Sequence, residues 1–377
     1  MTRVRSVSSF PVAYPEPNDD GNTRHLLFVR VEADDGTVGW GEAITMFEDA
    51  TRATAQLVEG MAELVVGSDP LENVATWRRV KRASWWYAHR GGVAAFALAA
   101  VDIALWDLKG KLLGQPLVNL IGGAERERLP VIASTHVFDE SMEREAERHG
   151  RYVRDDGYAG VKIGMGKKGG TRLGYEVERD VEFVRLLREA VGPDAMIMMD
   201  RGASLVWDFD TAVRRVDAFE EQGLKWIEEP FEPDNHESLR RLRGHCRCLI
   251  AGGEREWDAR GFGALIDTGL VDVIGCDVGR AEGITGVLRV IALVEEADDV
   301  WFNSHAWSSA VNTAASIALS ASTPRCLLQE LKPLENPMQH ELVTEPFAQH
   351  DGFVAVPRKP GLGVEVREDV LAKYRLT

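Results

Sequence analysis

The pattern of apolar and polar positions changes twice along the chain. At the start, Leu26 to Glu32 alternates loosely, Asp35-Gly36 is a hairpin-turn dipeptide, and TVGWGEA returns over 37–43, which predicts an antiparallel pair. Helical spacing follows over Ala50–Val66, then over a long apolar segment, Gly91–Leu113, that Gly114-Gln115-Pro116 ends. These elements predict an α+β unit over residues 1–127. From Leu129 onward, a short apolar run, a polar loop and an amphipathic helix recur. The runs are LPVIASTHV, AGVKI, AMIMMD, KWIEEP, CLIAGGE, VDVIGCD, DVWFNSH and CLLQE, ending near residues 137, 164, 200, 228, 254, 277, 305 and 330. Between the second and third, Val177, Val181, Val184, Leu187 and Val191 share one helical face, closed by Gly192-Pro193. Such alternation implies parallel strands joined by crossover helices. Eight regular units predict an α/β fold, a TIM-type (β/α) barrel over residues 128–335, rather than an open doubly wound sheet. The last segment, 336–377, carries Asp351-Gly352, an apolar run at 353–356 and the turn PGLG at 360–363; it is predicted to return to the N-terminal unit and complete a capping domain.

Composition narrows the partners. With 45% apolar and 28% charged residues over 377 positions the chain is ordinary, but 44 Lys and Arg against 60 Asp and Glu give a formal charge of −16. A surplus of that sign repels phosphate backbones and anionic lipid, so no nucleic acid and no membrane surface is expected as a partner. A small-molecule carboxylate stays open, because a metal or a few local cations can dominate one pocket. The four cysteines, Cys246, Cys248, Cys276 and Cys326, form no CxxC pair and read as reduced thiols. The N-terminal residues lack the apolar core of a signal peptide, and Val93–Leu108 is interrupted by Asp102 and Asp107 and too short for a bilayer. A cytoplasmic location is the expectation.

Three successive strands end in a carboxylate: Asp200, Glu228 and Glu254. In a barrel the carboxyl ends of neighbouring strands converge on one mouth, where active sites of this fold lie. Three carboxylates there repel one another unless a hard cation neutralises them, and an all-oxygen set suits Mg²⁺. Glu228 and Glu229 compete for the middle place, since alternation sends them to opposite faces. The next two strands end in Asp277 and His305, a carboxylate beside an imidazole that can fix its tautomer and make it a better base. The eighth ends in Gln329-Glu330, a further inward acid.

These segments, with GWGEA at 39–43, the helix leading to NLIGG at 119–123, WIEEP at 226–230, GGE at 252–254, CDVGRAEGIT at 276–285, NSHAW at 303–307 and KPGLGVEV at 359–366, resemble the enolase superfamily in its mandelate racemase-like branch over essentially the whole chain. The resemblance implies Asp200, Glu228 and Glu254 as Mg²⁺ ligands and Asp277–His305 as the catalytic dyad. It also implies Glu330 near the substrate carboxylate or hydrogen-bonded to an enolate, a cap that selects substrate, and a homo-oligomer. Two positions depart from the family pattern. Its second strand usually carries Lys-x-Lys, the second lysine being a base, whereas this chain has Lys162-Ile163-Gly164; its third usually reads Asp-x-Asn, whereas this chain has Asp200-Arg201-Gly202. Lys162 is left as a cation near the bound carboxylate.

A racemase needs an acid/base group on each face of the α-carbon, so the missing lysine favours one-base chemistry. The expected reaction is dehydration of an acid sugar (aldonate or aldarate) to a 2-keto-3-deoxy acid, with His305 as base and then acid. Epimerisation or racemisation, cycloisomerisation, and a non-catalytic barrel are the alternatives. Residues 164–169 also match GxGxxG, a weak pointer to an NAD-binding dehydrogenase. Arg24, His25 and His136 are candidate substrate contacts, and Trp85-Trp86-Tyr87 is either a lid or a set of core and interface residues. Arg201 and Arg280, beside the mouth, are expected to be solvated.

Overall fold

The computed structural model describes residues 2–167 and 171–377. Its first unit is a three-stranded antiparallel sheet, β1 (Val4–Glu16), β2 (Asn22–Ala33) and β3 (Val38–Met46), followed by α1 (Glu48–Val65), α2 (Asn73–Ala83), α3 (Val93–Leu113) and the single turn α4 (Leu117–Leu120). The sequence pattern predicts neither β1 nor α2. Pro11 and Pro15 obscure β1, which tolerates them because it is the edge strand of the sheet, meeting only a short stretch of C-terminal residues on its outer side.

α3 is buried almost all round, and its two aspartates explain how. Asp107 accepts from the amides of Trp40 in β3 and Leu362 in the C-terminal segment and from Lys111 Nζ. Asp102 accepts from Thr285 N and Oγ1 at 2.7 Å each. Two charges that break a membrane-span pattern thus satisfy backbone groups where cap, barrel and C-terminus meet. Among the described residues no helix is long and apolar enough to cross a membrane. The glycines of GWGEA let α3 lie directly on β3: a Cβ on Gly39 or Gly41 would come within 2.2 or 2.0 Å of the carbonyl oxygens of Ala104 and Ala100.

The barrel strands are β4 (Arg128–His136), β5 (Gly160–Gly164), β6 (Met196–Asp200), β7 (Leu224–Glu228), β8 (Leu249–Gly252), β9 (Val273–Asp277), β10 (Trp301–His305) and β11 (Cys326–Leu331). Between them run α5 (Met142–Arg154), α6 (Val177–Val191), α7 (Phe209–Glu221), α8 (His236–Arg243), α9 (Ala259–Asp267), α10 (Gly283–Glu296) and α11 (Ala310–Ala321). All neighbours are parallel, and β11 pairs with β4 through Glu330 opposite Ile132. That pairing closes the barrel and rules out the doubly wound sheet. Ile132, Met198, Trp226, Ala251, Val273 and Leu328 fill its floor from inward-facing positions.

The C-terminal segment divides its contacts. β12 (Phe353–Ala355) runs antiparallel beside β4 of the barrel rather than joining the cap. After it, Gly361 accepts from Leu117 N, Ala13 N donates to Tyr374 O, and Leu376 N donates to Pro11 O, with α12 (Glu368–Lys373) between them.

Candidate active site

Strand register builds the mouth. His136, Gly164, Asp200 and Glu228 lie side by side across β4 to β7, and Asp277 stands beside His305 across β9 and β10. Because inward positions recur every second residue, Ser134, Lys162 and Asn303 form the layer just below. Lys162 Nζ is buried and donates to Glu228 Oε2 at 2.9 Å and pairs with Glu330 Oε1 at 2.9 Å. Burial disfavours its charge, but Glu228, Glu330 and Asp200 outweigh that and hold the amine protonated well above the ordinary range. Lys162 is therefore a fixed cation.

Glu330 also accepts from Asn303 Nδ2 at 2.9 Å and Ser134 Oγ at 3.1 Å. Burial would raise its carboxyl, yet Lys162 and His305 bring it below the usual range. Paired with it, Glu330 anchors Lys162 beneath the mouth.

Ligand oxygens of Asp200, Glu228 and Glu254 lie within 4.8 Å of one another. Burial, then the charges of Glu228 and Glu254, pushes the Asp200 carboxyl well above its usual range, the signature of crowded anions with too little positive charge among them. The three oxygens fit a hard divalent cation in donor type and spacing. Glu229 turns the other way, with φ at 41°, and pairs with Arg255 Nε at 2.7 Å, which leaves the middle place to Glu228. A second cluster, Glu220, Cys246 and Cys248, sits near the opposite end of the barrel. There Glu220 is already spent on the amide and guanidinium of Arg247 and the amide of Cys248.

His305 Nδ1 is 2.6 Å from Asp277 Oδ2, and Nε2 is 3.6 Å from Glu254 Oε2. An ionised carboxylate only accepts, so Nδ1 donates to it, and Nε2, which faces the mouth, presents a lone pair once the ring is neutral. The other Asp277 oxygen accepts from Gly279 N at 2.8 Å and Asn312 Nδ2 at 3.0 Å. Burial acts against the imidazolium, but Asp277, Glu254 and Glu330 raise His305 to about 9. The dyad is held from outside the barrel. Glu42, the acid of GWGEA, is fully buried and accepts from Asn312 N at 3.1 Å, Ser309 N at 3.2 Å and the hydroxyls of Ser308 and Ser309. The sequence motif contains Glu42, but only the fold shows that it fixes the turn after His305.

Of the candidate cap residues, Arg24 reaches the site and His25 does not. The Arg24 guanidinium stacks 4.4 Å from the Trp307 ring, itself 4.8 Å from His136. His25, on the opposite face of β2, makes no side-chain hydrogen bond among the described residues. Asp19 and Lys167, 2.6 Å apart, tie the cap to the loop after β5. Arg201 is not solvated, and Arg280 is half-buried. Arg201 is 1% exposed and donates to Glu229 O at 2.6 Å and Glu232 Oε1 at 3.0 Å, while Arg280 packs 3.6 Å over Trp257. Trp85, Trp86 and Tyr87 are 64%, 80% and 54% exposed. Residues 168–170, including the end of the GxGxxG match, lie outside the described residues. Since α6 starts only at Val177, Gly164 and Gly166 adjoin no helix terminus of the kind that binds pyrophosphate.

Comparison with known proteins bears on this arrangement. The model for the mandelate racemase / muconate lactonizing enzyme N-terminal domain matches residues 19–122, and that for the enolase C-terminal domain-like region matches residues 142–370. The chain belongs to the enolase superfamily, in its mandelate racemase-like branch. This superfamily member is 30% identical over 363 residues to the D-galactarolactone cycloisomerase of Agrobacterium fabrum, covering 93% of this chain and 91% of that one. It is 32% identical over 377 residues to the D-gluconate dehydratase of Thermoproteus tenax, covering 100% of this chain and 74% of that one. The crystal structure of the 3,6-anhydro-D-galactonate cycloisomerase of Zobellia galactanivorans superposes with a TM-score of 0.88 at 27% identity, over 100% of each chain. The relatives of this protein are acid-sugar dehydratases and cycloisomerases, and superfamily members generally bind Mg²⁺.

Proposed function

We propose that the protein abstracts the α-proton of a hydroxy-carboxylate and dehydrates an acid sugar to a 2-keto-3-deoxy acid, with His305 as the one base. The observation that carries this reading is the orientation of His305, whose Nδ1 is tied to Asp277 while Nε2 opens beside Glu254 of the carboxylate triad. Asp200, Glu228 and Glu254 would hold Mg²⁺, which when bound supplies positive charge to the substrate carboxylate and to the developing enediolate. Lys162, fixed between Glu228 and Glu330, adds a second positive charge below the mouth. His305 Nε2 takes the α-proton and becomes imidazolium, which Asp277 stabilises. The same proton then goes to the β-hydroxyl, which leaves as water, and the resulting enol tautomerises to the keto acid. One residue serves both steps when proton and hydroxyl leave from the same side. Gly164 offers no side chain for a base on the β5 side, which supports elimination over racemisation.

The test is a panel of aldonates and aldarates incubated with the protein and Mg²⁺, scored for 2-keto-3-deoxy product and for deuterium uptake from D₂O. Product that disappears with His305→Ala supports the reading; full turnover by that variant refutes it. The cycloisomerases among the relatives favour cycloisomerisation as a second reading of the same one-base site. Ring-opening of a sugar lactone without release of water would select it.

A further inference from the structure

Gly164 leaves a space that another strand fills. A Cβ built on it would lie 2.1 Å from His136 Nδ1 and 2.6 Å from Cε1. His136 stands opposite Gly164 in register, with the inward parity of Ser134 and Ile132, and packs edge-on against Trp307. Nδ1 is shut off against Gly164 with no hydrogen-bond partner. Among the described residues Nε2 makes no hydrogen bond either, and it is the nitrogen on the open edge of the ring. Burial, followed by the charges of Lys167 and Arg24, holds the imidazole neutral. His136 is half-buried, and of its two nitrogens only Nδ1 is closed off, so Nε2 is the one free to meet a ligand.

We propose that His136 determines specificity: its Nε2 is an uncharged hydrogen-bond partner for a hydroxyl group of the bound carboxylate on the β4–β5 side of the mouth, and the bare Gly164 exists to seat the ring there. The inference rests on the hydroxy-acid reading above and adds which side of the site recognises the hydroxyl. Gly164 and His136 then act as one unit, because no side chain at 164 is compatible with the ring in this position.

The experiment needs no turnover. With Mg²⁺ present, calorimetry measures the affinities of hydroxymalonate and malonate, which differ by one hydroxyl, for the native protein, His136→Phe and His136→Gln. The native protein is expected to prefer hydroxymalonate. Phe keeps the ring's bulk without polar atoms and should cut that preference about tenfold, the cost of one hydrogen bond in a closed site; Gln should restore most of it. An unchanged preference in His136→Phe, or an equal loss of both ligands that Gln does not rescue, overturns the assignment and leaves the hydroxy-acid reading standing. Native protein that binds neither ligand overturns both.

Discussion

Replacing Asp277 by Asn removes the negative charge behind His305 while nearly preserving side-chain size. In the native protein that charge, with those of Glu254 and Glu330, outweighs burial and lifts the imidazole from an ordinary 6.5 to about 9. At ~1.4 kcal/mol per decade, the difference is a preference of about 3 kcal/mol for the imidazolium. In the proposed reaction proton abstraction creates that imidazolium, so most of the preference is lost from the transition state in Asp277→Asn. A barrier higher by about 3 kcal/mol lowers kcat by ~100-fold, and more if the amide reverses the tautomer by donating to Nδ1. The assay is the pH profile of turnover with saturating Mg²⁺. Activity of the native protein is expected to rise as His305 loses its proton; in Asp277→Asn that limb should move to lower pH while the plateau falls. Stability gives an independent check without metal. Because the folded-state value lies above the unfolded one, the dyad's stabilisation is fully present below about pH 6.5 and is lost as pH rises through about 9. The stability gap between native and variant proteins therefore narrows across that window. A variant with the native plateau and the native acid limb refutes the dyad.

Glu254→Gln should weaken Mg²⁺ binding by about 100-fold in calorimetry and abolish turnover, because a neutral amide cannot replace one of three anionic ligands; retained affinity would remove Glu254 from the site. Glu42→Ala strands two serine hydroxyls and two amides and should cost about 3 kcal/mol in denaturant unfolding. A loss below about 0.5 kcal/mol would show that water replaces this carboxylate freely. Gly164→Ala should cost about 1–3 kcal/mol through its collision with His136, and His136→Ala in the same chain should recover most of it; simple additivity would mean that the ring moves aside without strain.

The sequence by itself determined the barrel, the order of its strands and the carboxylates at or just beyond the ends of three, because short apolar runs between amphipathic helices are local patterns that one chain displays directly. It also determined that Glu228 and Glu229 compete for one place, since alternation is a property of any strand. Only the tertiary structure decided between them, and only it joined Glu42 to the turn beyond His305, across 266 residues of chain. It also revealed that Glu330 is spent on Lys162, Asn303 and Ser134, and that the ring of His136 fills the space Gly164 leaves. Arg201, expected in water, proved buried because three backbone carbonyls and Glu232 gather around its guanidinium. In each case the deciding partner comes from another element. Barrel closure sets how far neighbouring strand ends are rotated about the mouth, and the resulting meeting of charges and hydrogen-bonding groups, rather than the residues' order in the chain, fixes protonation and reach.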